Sequence, residues 1–351
     1  MPMAAQVRLV VGYDHDMKGS GRDLIVAPRA LILLAGCIWL DRRDRHPQIA
    51  HASRPMMTTR VAATRTRSRA SLRAGRKGLK PTRQRYRPPL ASREMSWLHS
   101  LDDDAVRTLT LDRPERKNAV PPGGWRDLTA AFSDFERSGQ RVLILTGNGG
   151  SFCSGADLDP EGVDRNVVAT RRRMKMVGEA ALTLHRLSKP TIALVDGVAA
   201  GAGMNLALGC DLVVATPRAR FSEVFPKRGL TVDFGGTWLL PRVVGLQRAK
   251  ELALTGRMVE ADEALAIGLV YDLWQPAEVE TRLSQLTSAL IAGAPMAQMF
   301  TKQSLNRAFS MSFAQALEDE GQSQAICLAS EDAVEGVAAF FEKRPPRFRG
   351  R

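Results

Sequence analysis

The chain has 351 residues, of which 44% are hydrophobic, and a formal net charge of +13, which is enough sequence for one large or two ordinary domains. Residues 1–93, the N-terminal arm, carry 20 lysines and arginines and 5 acids, whereas residues 94–351, the body, carry 30 lysines and arginines and 32 acids. The positive charge therefore belongs to the arm, and it does not indicate that the body binds nucleic acid. Four separated cysteines and five histidines argue against a disulfide framework and a metal site, and they favour the reducing cytosol.

The arm, residues 1–94, is predicted to be a basic, disordered extension. Residues 45–93 contain no acid and are rich in Arg, Ser, Thr and Pro, a composition that cannot bury a core. Three interpretations stay open: an extension upstream of a functional start at Met95, a mitochondrial transit peptide that would place the protein in the matrix, and a nucleic-acid-binding arm, which the scarcity of aromatic residues disfavours. The apolar run 30–40 is too short to span a bilayer, so no transmembrane segment is expected.

From Met95 onward, strand and helix patterns alternate. Residues 106–111 alternate apolar and polar side chains as a half-buried strand does, and the apolar runs 141–146, 191–195 and 211–215 predict buried strands. Helical spacing is found, in chain order, at residues 125–135, 165–187, 204–208, 246–255, 260–268, 276–292, 296–308, 312–329 and 331–342. Strands that alternate with helices predict parallel βαβ units and hence an α/β fold.

Two loops of small residues follow two of these strands. Residues 154–157 (SGAD) come after the strand at 141–146, and residues 200–203 (AGAG) come after the strand at 191–195. Small residues at such a junction let a ligand approach free backbone N–H groups, and two such donors on one oxygen would form an oxyanion hole. Tight helix–strand packing is the structural alternative. A dinucleotide site is less favoured, because Leu206 replaces the third glycine of that motif.

Residues 95–351 resemble the crotonase family of enoyl-CoA hydratases and isomerases. The resemblance rests on five segments in the family's order: LDRPERKNAV (111–120), LILTGNGGSFCSGADL (143–158), KPTIALVDGVAAGAGMNLALGCDLVVAT (189–216), FGGTWLLPRVVG (234–245) and ALTGRMVEADEALAIGLV (253–270). It implies a spiral of ββα units over residues 95–290. A helical region over residues 291–351 is then expected to mediate trimerisation, giving a homotrimer or a dimer of trimers.

The same resemblance implies an acyl-CoA thioester as substrate and no cofactor beyond the coenzyme A of that substrate. It assigns the oxyanion-hole N–H groups to Ala156 and Ala202, and it places Gly201 and Phe225 in the substrate pocket. Residues implied to bind coenzyme A, largely through the backbone, are Asn118, Ala119, Ser154, Gly155 and Asp157, with Lys343 of the C-terminal tail near a phosphate.

The chain departs from the family at the two glutamates with which hydratases activate water. Asn205 takes the place of the first and retains only hydrogen-bonding capacity, and Phe225 takes the place of the second and makes that wall apolar. Glu223 lies two residues from the second position and would need a loop shift to replace it. Efficient hydration is therefore not favoured.

Asp233 lies where isomerase-type members of the family carry an acidic base. A carboxylate that faces an apolar pocket has a raised pKa and can both take and return a proton. The structural alternative is that Asp233 caps a helix beginning at Gly235 or Gly236. The prediction is an enoyl-CoA isomerase with Asp233 as acid and base and with Asn205 beside it. The alternatives are an enoyl-CoA hydratase of fatty-acid β-oxidation and a non-catalytic acyl-CoA-binding protein.

Overall fold

The computed structural model describes residues 97–158 and 166–351. The predicted extension, residues 1–94, lies outside the described residues, as does the apolar run 30–40 within it. Among the helices of the described chain, none is long and apolar enough to cross a membrane.

Within residues 97–158 and 166–351, ten strands form two sheets. They are β1 (Leu98–Asp103), β2 (Val106–Leu111), β3 (Val142–Gly147), β4 (Ser151–Cys153), β5 (Thr191–Val195), β6 (Val198–Ala200), β7 (Leu212–Ala215), β8 (Arg220–Ser222), β9 (Val259–Glu260) and β10 (Asp272–Leu273). The larger sheet has the order β1-β2-β3-β5-β7-β10 and is parallel except for the β1–β2 pair. The smaller sheet has the order β4-β6-β8-β9 and is parallel except for the β8–β9 pair.

Helices follow the strand pairs and then make up the C-terminal part. They are α1 (Gly124–Arg137), α2 (Val167–His185), α3 (Ala202–Leu208), α4 (Gly236–Val244), α5 (Leu246–Thr255), α6 (Ala261–Ala266), α7 (Val279–Ile291), α8 (Pro295–Arg307), α9 (Phe313–Leu328) and α10 (Glu331–Glu342). The units β3-β4-α2, β5-β6-α3 and β7-β8-α4 each give one strand to each sheet, which confirms the predicted spiral of ββα units. The predicted helical C-terminal region is present as α8 to α10.

The central strands are apolar on both faces, as expected for parallel strands covered on two sides. On β5, Ala193 and Val195 face the main core, while Ile192 and Leu194, which alternate with them, face a second, smaller core. Helix α7 covers that smaller core with Leu283 and Leu286. Strands β3 and β5 are thus packed on both faces, and each leads into a strand of the smaller sheet, β4 or β6, after which a loop of small residues begins.

Helix α3, which begins in the second small-residue loop, contacts β4 at Gly203. A methyl group added to Gly203 would overlap the backbone carbonyl of Cys153, the last residue of β4. The short distance between α3 and β4 therefore requires glycine at this position.

We expect Gly203→Ala to destabilise the fold by about 1–3 kcal/mol, because the rigid carbonyl of Cys153 cannot yield to the added methyl group. Urea unfolding followed by circular dichroism measures the change. The matched control is Gly178→Ala in the exposed part of α2, where an added methyl group meets nothing within 4 Å and the helix gains up to about 1 kcal/mol. Equal shifts in both variants would contradict the close approach at Gly203.

Candidate active site

A cavity of about 480 Å³ lies against both small-residue loops. Its walls include Ala156 from the loop after β4, Gly201 and Ala202 from the loop after β6, and Phe225 and Asp233 from the segment before α4. The volume lies in the range of small-molecule sites. The structure therefore brings together Ala156, Ala202, Gly201, Phe225 and Asp233, which the sequence analysis had placed in one site.

The loop after β4 presents the backbone amide of Ala156. Ala156 and Val120 form a parallel bridge, in which the Val120 N–H donates to the Gly155 carbonyl at 2.8 Å and the Asp157 N–H donates to the Val120 carbonyl at 2.9 Å. A bridge of this kind uses the flanking residues, so the N–H of Ala156 itself points away from Val120. In the turns, loops and caps of the described chain, that N–H donates to no backbone carbonyl.

The loop after β6 presents the amide of Ala202. Gly201 has φ 54°, and its N–H donates to the Ser222 carbonyl at 2.8 Å. Ala202 is the first residue of α3, so its N–H has no acceptor within the helix. An ideal Cβ on Gly155 would lie 3.4 Å from the Ala202 nitrogen, so the two loops adjoin. Two such donors at one wall can bind a carbonyl oxygen and stabilise negative charge on it.

Asp233 contributes a half-buried carboxyl group to the same cavity. Its Oδ1 is buried without a hydrogen-bond partner among the described residues, and burial raises its pKa to about 6. Helix α4 begins at Gly236 with Gly235 as N-cap and without a side-chain cap, and Asp233 supplies only its backbone carbonyl, to the Gly236 N–H at 3.0 Å. The helix-capping interpretation of the Asp233 side chain is therefore wrong.

Phe234 fixes the backbone next to this carboxyl group. It is a non-glycine residue in the left-handed region, with φ 51°, which is an uncommon conformation for a bulky side chain. Its ring is buried with its centroid 5.3 Å from that of Trp125 in α1. The packing of the ring holds the strained backbone, and with it the position of Asp233.

Asn205 and Glu223 lie behind this wall rather than among the residues that line the cavity. The Asn205 side-chain amide donates to the Asp233 carbonyl oxygen at 3.0 Å and to Glu223 Oε2 at 3.3 Å. Both side chains are fully buried. Of the positions considered for a hydratase carboxylate, 205 and 225 hold none, and Glu223 does not reach the cavity.

The residues assigned to coenzyme A divide into two groups. Those that line the cavity are Ala119, Ser154, Gly155 and Asp157. Asn118 is buried and ties loops together, since its amide donates to the carbonyls of Asn148 at 2.8 Å and Ser151 at 2.6 Å. Lys343 is exposed at the C-terminal end of α10 and does not line this cavity.

Three cationic side chains at the cavity, Arg116, Lys117 and Arg228, were missed in the sequence analysis. Asp157 pairs with Arg116 at 2.9 Å and with Arg113 at 3.0 Å. Burial acts to raise the pKa of Asp157, but the hydrogen bonds from these two arginines outweigh it and lower that pKa. The basic run PERK (114–117) was the available signal, and it could not be placed without the fold.

The fold and the cavity define a crotonase-like α/β spiral with a small-molecule site between two loops that follow parallel strands. Residues 102–351 match the family model described as enoyl-CoA hydratase/isomerase. The chain belongs to that family, the crotonases, and is therefore an acyl-CoA enzyme by class.

Similar proteins carry both names of the family. A 1,2-epoxyphenylacetyl-CoA isomerase from Escherichia coli (strain K12) is 38% identical over 261 residues, which cover 73% of this chain and 100% of that protein. A short-chain-enoyl-CoA hydratase from Clostridium acetobutylicum is 34% identical over 241 residues, which cover 68% and 92%. The crystal structure of an enoyl-CoA hydratase/isomerase from Cupriavidus metallidurans CH34 aligns with a TM-score of 0.68 at 34% identity, covering 74% of this chain and 98% of that chain.

Proposed function

We propose that this protein is an enoyl-CoA isomerase in which the amides of Ala156 and Ala202 form an oxyanion hole and Asp233 transfers the proton. One observation carries the proposal. The half-buried carboxyl group of Asp233, whose Oδ1 has no hydrogen-bond partner among the described residues, lines the same cavity as Ala156 and Ala202, whose amides donate to no carbonyl in the described turns, loops and caps. A base, an oxyanion site and an apolar wall at Phe225 are what a proton shift next to a thioester requires.

In this mechanism, the Asp233 carboxylate takes a proton from C2 of a 3-enoyl-CoA. The electron pair of that C–H bond moves towards the thioester, and the resulting dienolate carries its charge on the thioester oxygen between the two amides. The Asp233 carboxylic acid then returns the proton to C4, which leaves the double bond between C2 and C3. No water takes part, and Phe225, which is 6% exposed, keeps that wall of the cavity apolar.

The thioester substrate also needs a place for its coenzyme A part. We infer that the backbone of Ala119 and of residues 154–157 contacts it, with Arg116 and Lys117 towards the phosphates, because these residues line the cavity. Cationic side chains are suited to phosphate groups.

A hydratase is the second candidate, because relatives are named for that activity. Positioning water for addition to a double bond uses two carboxylates in this family, and of the four residues Asn205, Glu223, Phe225 and Asp233 only Asp233 is an acid that lines the cavity. A non-catalytic acyl-CoA-binding protein would have no use for a half-buried carboxyl group in the cavity whose pKa is raised to about 6. Isomerisation needs only one acid at these four positions, and Asp233 supplies it.

The test follows the conversion of a 3-enoyl-CoA to the conjugated 2-enoyl-CoA by absorbance, beside the hydration of crotonyl-CoA. We expect isomerisation to exceed hydration by about 10²-fold or more, the contribution of one missing acid–base group. Isomerisation should rise as the pH rises through about 6, because the carboxylate form of Asp233 is the base. Hydration at an equal or higher rate would contradict the proposal.

Assembly and location remain proposals as well. Large apolar side chains are exposed on the C-terminal helices, with Phe313 79%, Phe340 78% and Phe341 77% accessible. Exposed apolar faces of this size mark contact surfaces, and we propose that they lie between the subunits of a homotrimer or a dimer of trimers. The cytoplasmic location expected from the cysteines stays a prediction.

A further inference from the structure

Glu223 is a fully buried acid that the proposed mechanism does not use. It directly follows β8 and has no accessible surface. Its Oε2 accepts one hydrogen bond, from Asn205 Nδ2 at 3.3 Å, and its Oε1 is buried without a partner among the described residues. An ionised carboxylate with so few donors would be poorly solvated, so the contacts favour an uncharged carboxyl group.

The charges around Glu223 act in the same direction. Burial is the largest cause that raises its pKa, to about 8, and the charge of Asp233 adds to it, against the hydrogen bond from Asn205. Helix α3, which supplies Asn205, contains no charged residue. The charged residues on β8, on residues 225–228 and on β9 are exposed: Arg220, Lys227, Arg228 and Glu260. Arg257, which follows the Gly256 that adjoins the Glu223 carbonyl, is half-buried and is paired with Glu251 and Glu263. Asp233 is thus the charged group whose field acts on Glu223.

Asn205 connects Glu223 to the backbone of Asp233. The same Nδ2 that donates to Glu223 Oε2 donates to the Asp233 carbonyl oxygen at 3.0 Å. Gly236, the first residue of α4, packs directly on the Asn205 side chain, where a methyl group would overlap the amide. The Asn205 side chain is therefore held in one orientation between Glu223, which does not line the cavity, and Asp233, which does.

We propose that Glu223, as an uncharged carboxyl group, is a positioning residue for Asp233 that acts through Asn205. The inference rests on the proposed role of Asp233 as the base. An uncharged Glu223 accepts a hydrogen bond from the Asn205 side-chain amide. Because the same amide donates to the Asp233 carbonyl oxygen, this bond fixes the position of Asp233 without adding a second negative charge next to the enolate. Once Glu223 ionises, a like charge in a poorly solvated interior opposes both the Asp233 carboxylate and the developing enolate. Isomerisation should then decline as the pH rises through about 8.

The variant Glu223→Gln keeps an uncharged acceptor for Asn205 and removes the ionisation. We expect kcat at pH 7 within about threefold of the wild type, because the acceptor for Asn205 is retained. The decline above pH 8 should be absent. Glu260→Gln, at an exposed glutamate of β9, is the matched control and should keep the wild-type profile. A Glu223→Gln profile that declines like the wild type overturns the proposal.

A second measurement needs neither substrate nor turnover. Infrared spectra of the ligand-free wild-type protein across pH should contain the carbonyl band of a protonated carboxyl group that disappears as the pH rises through about 8. The band should persist in Asp233→Asn and be missing in Glu223→Gln. Absence of the band in a wild-type protein that isomerises 3-enoyl-CoA overturns the assignment of Glu223 alone. A band without any isomerisation overturns the proposed function instead.

Discussion

Replacement of Asp233 by asparagine should lower kcat for the isomerisation of 3-enoyl-CoA by about 10²–10⁴-fold, the usual contribution of a positioned acid–base group. Asparagine has nearly the shape of aspartate, and it retains the backbone carbonyl that accepts the N–H groups of Asn205 and Gly236. It cannot take a proton from C2. The substrate KM should change little, because the oxyanion donors and the contacts to coenzyme A are left in place.

The measurement is a full kinetic comparison by absorbance, together with proton exchange at C2 in heavy water. Exchange should fall together with kcat, since both need removal of the C2 proton. Asp262→Asn, at an exposed acid of α6 outside the cavity, is the control and should retain wild-type kinetics. Full isomerase activity in Asp233→Asn would remove Asp233 from the mechanism.

Ala202→Pro should lower kcat by about 10²–10³-fold, the loss typical for one donor of an oxyanion hole. Proline lacks the backbone N–H, and its ring carbon takes up the space in front of the nitrogen. Ala202 is the first residue of α3, the position at which a helix accepts proline without losing an internal hydrogen bond. The substitution therefore removes the donor while it leaves the helix intact.

The matched control for this donor is Ala202→Gly, which keeps the N–H and removes only a methyl group. We expect Ala202→Gly to remain within a few-fold of the wild type in kcat, given that glycine at this position costs only backbone entropy. Circular dichroism and thermal unfolding check that both variants fold. If Ala202→Pro folds and isomerises like Ala202→Gly, the Ala202 amide does not bind the thioester oxygen.

Elements with a strong local pattern could be predicted from the sequence. Strand β5 and helices α5 and α10 begin and end at the predicted residues. The strands of the smaller sheet were missed, because segments of two or three residues such as β4 and β8 are too short for any periodicity to develop. Strand β1 was missed for another reason: five of its six residues are exposed, so it has no buried face to produce an alternating pattern.

In the candidate site, the positions of the backbone loops could be predicted from the sequence, whereas the contacts of the buried side chains could not. The loops around Ala156 and Ala202 follow from small residues after apolar strands. For Asp233 the sequence favoured the role of a base, but it left the role of a helix cap open. They separated only when Gly235 was found in the capping position and the Asp233 carboxyl group was left without a partner at Oδ1. The contact between Asn205 and Glu223 joins residues 18 apart along the chain, which no local pattern reports.

The donors of the proposed oxyanion hole belong to the main chain, whereas the acid belongs to a side chain on a separate segment. Few point mutations can delete a backbone amide, but a single codon change can add, remove or move a carboxyl group at Asn205, Glu223, Phe225 or Asp233. Any chain with this fold would then keep the backbone amides that stabilise the enolate, while the side chain that accepts the proton can differ between proteins. A new reaction on this scaffold would then require one or two substitutions around the proposed oxyanion hole, and not a new architecture.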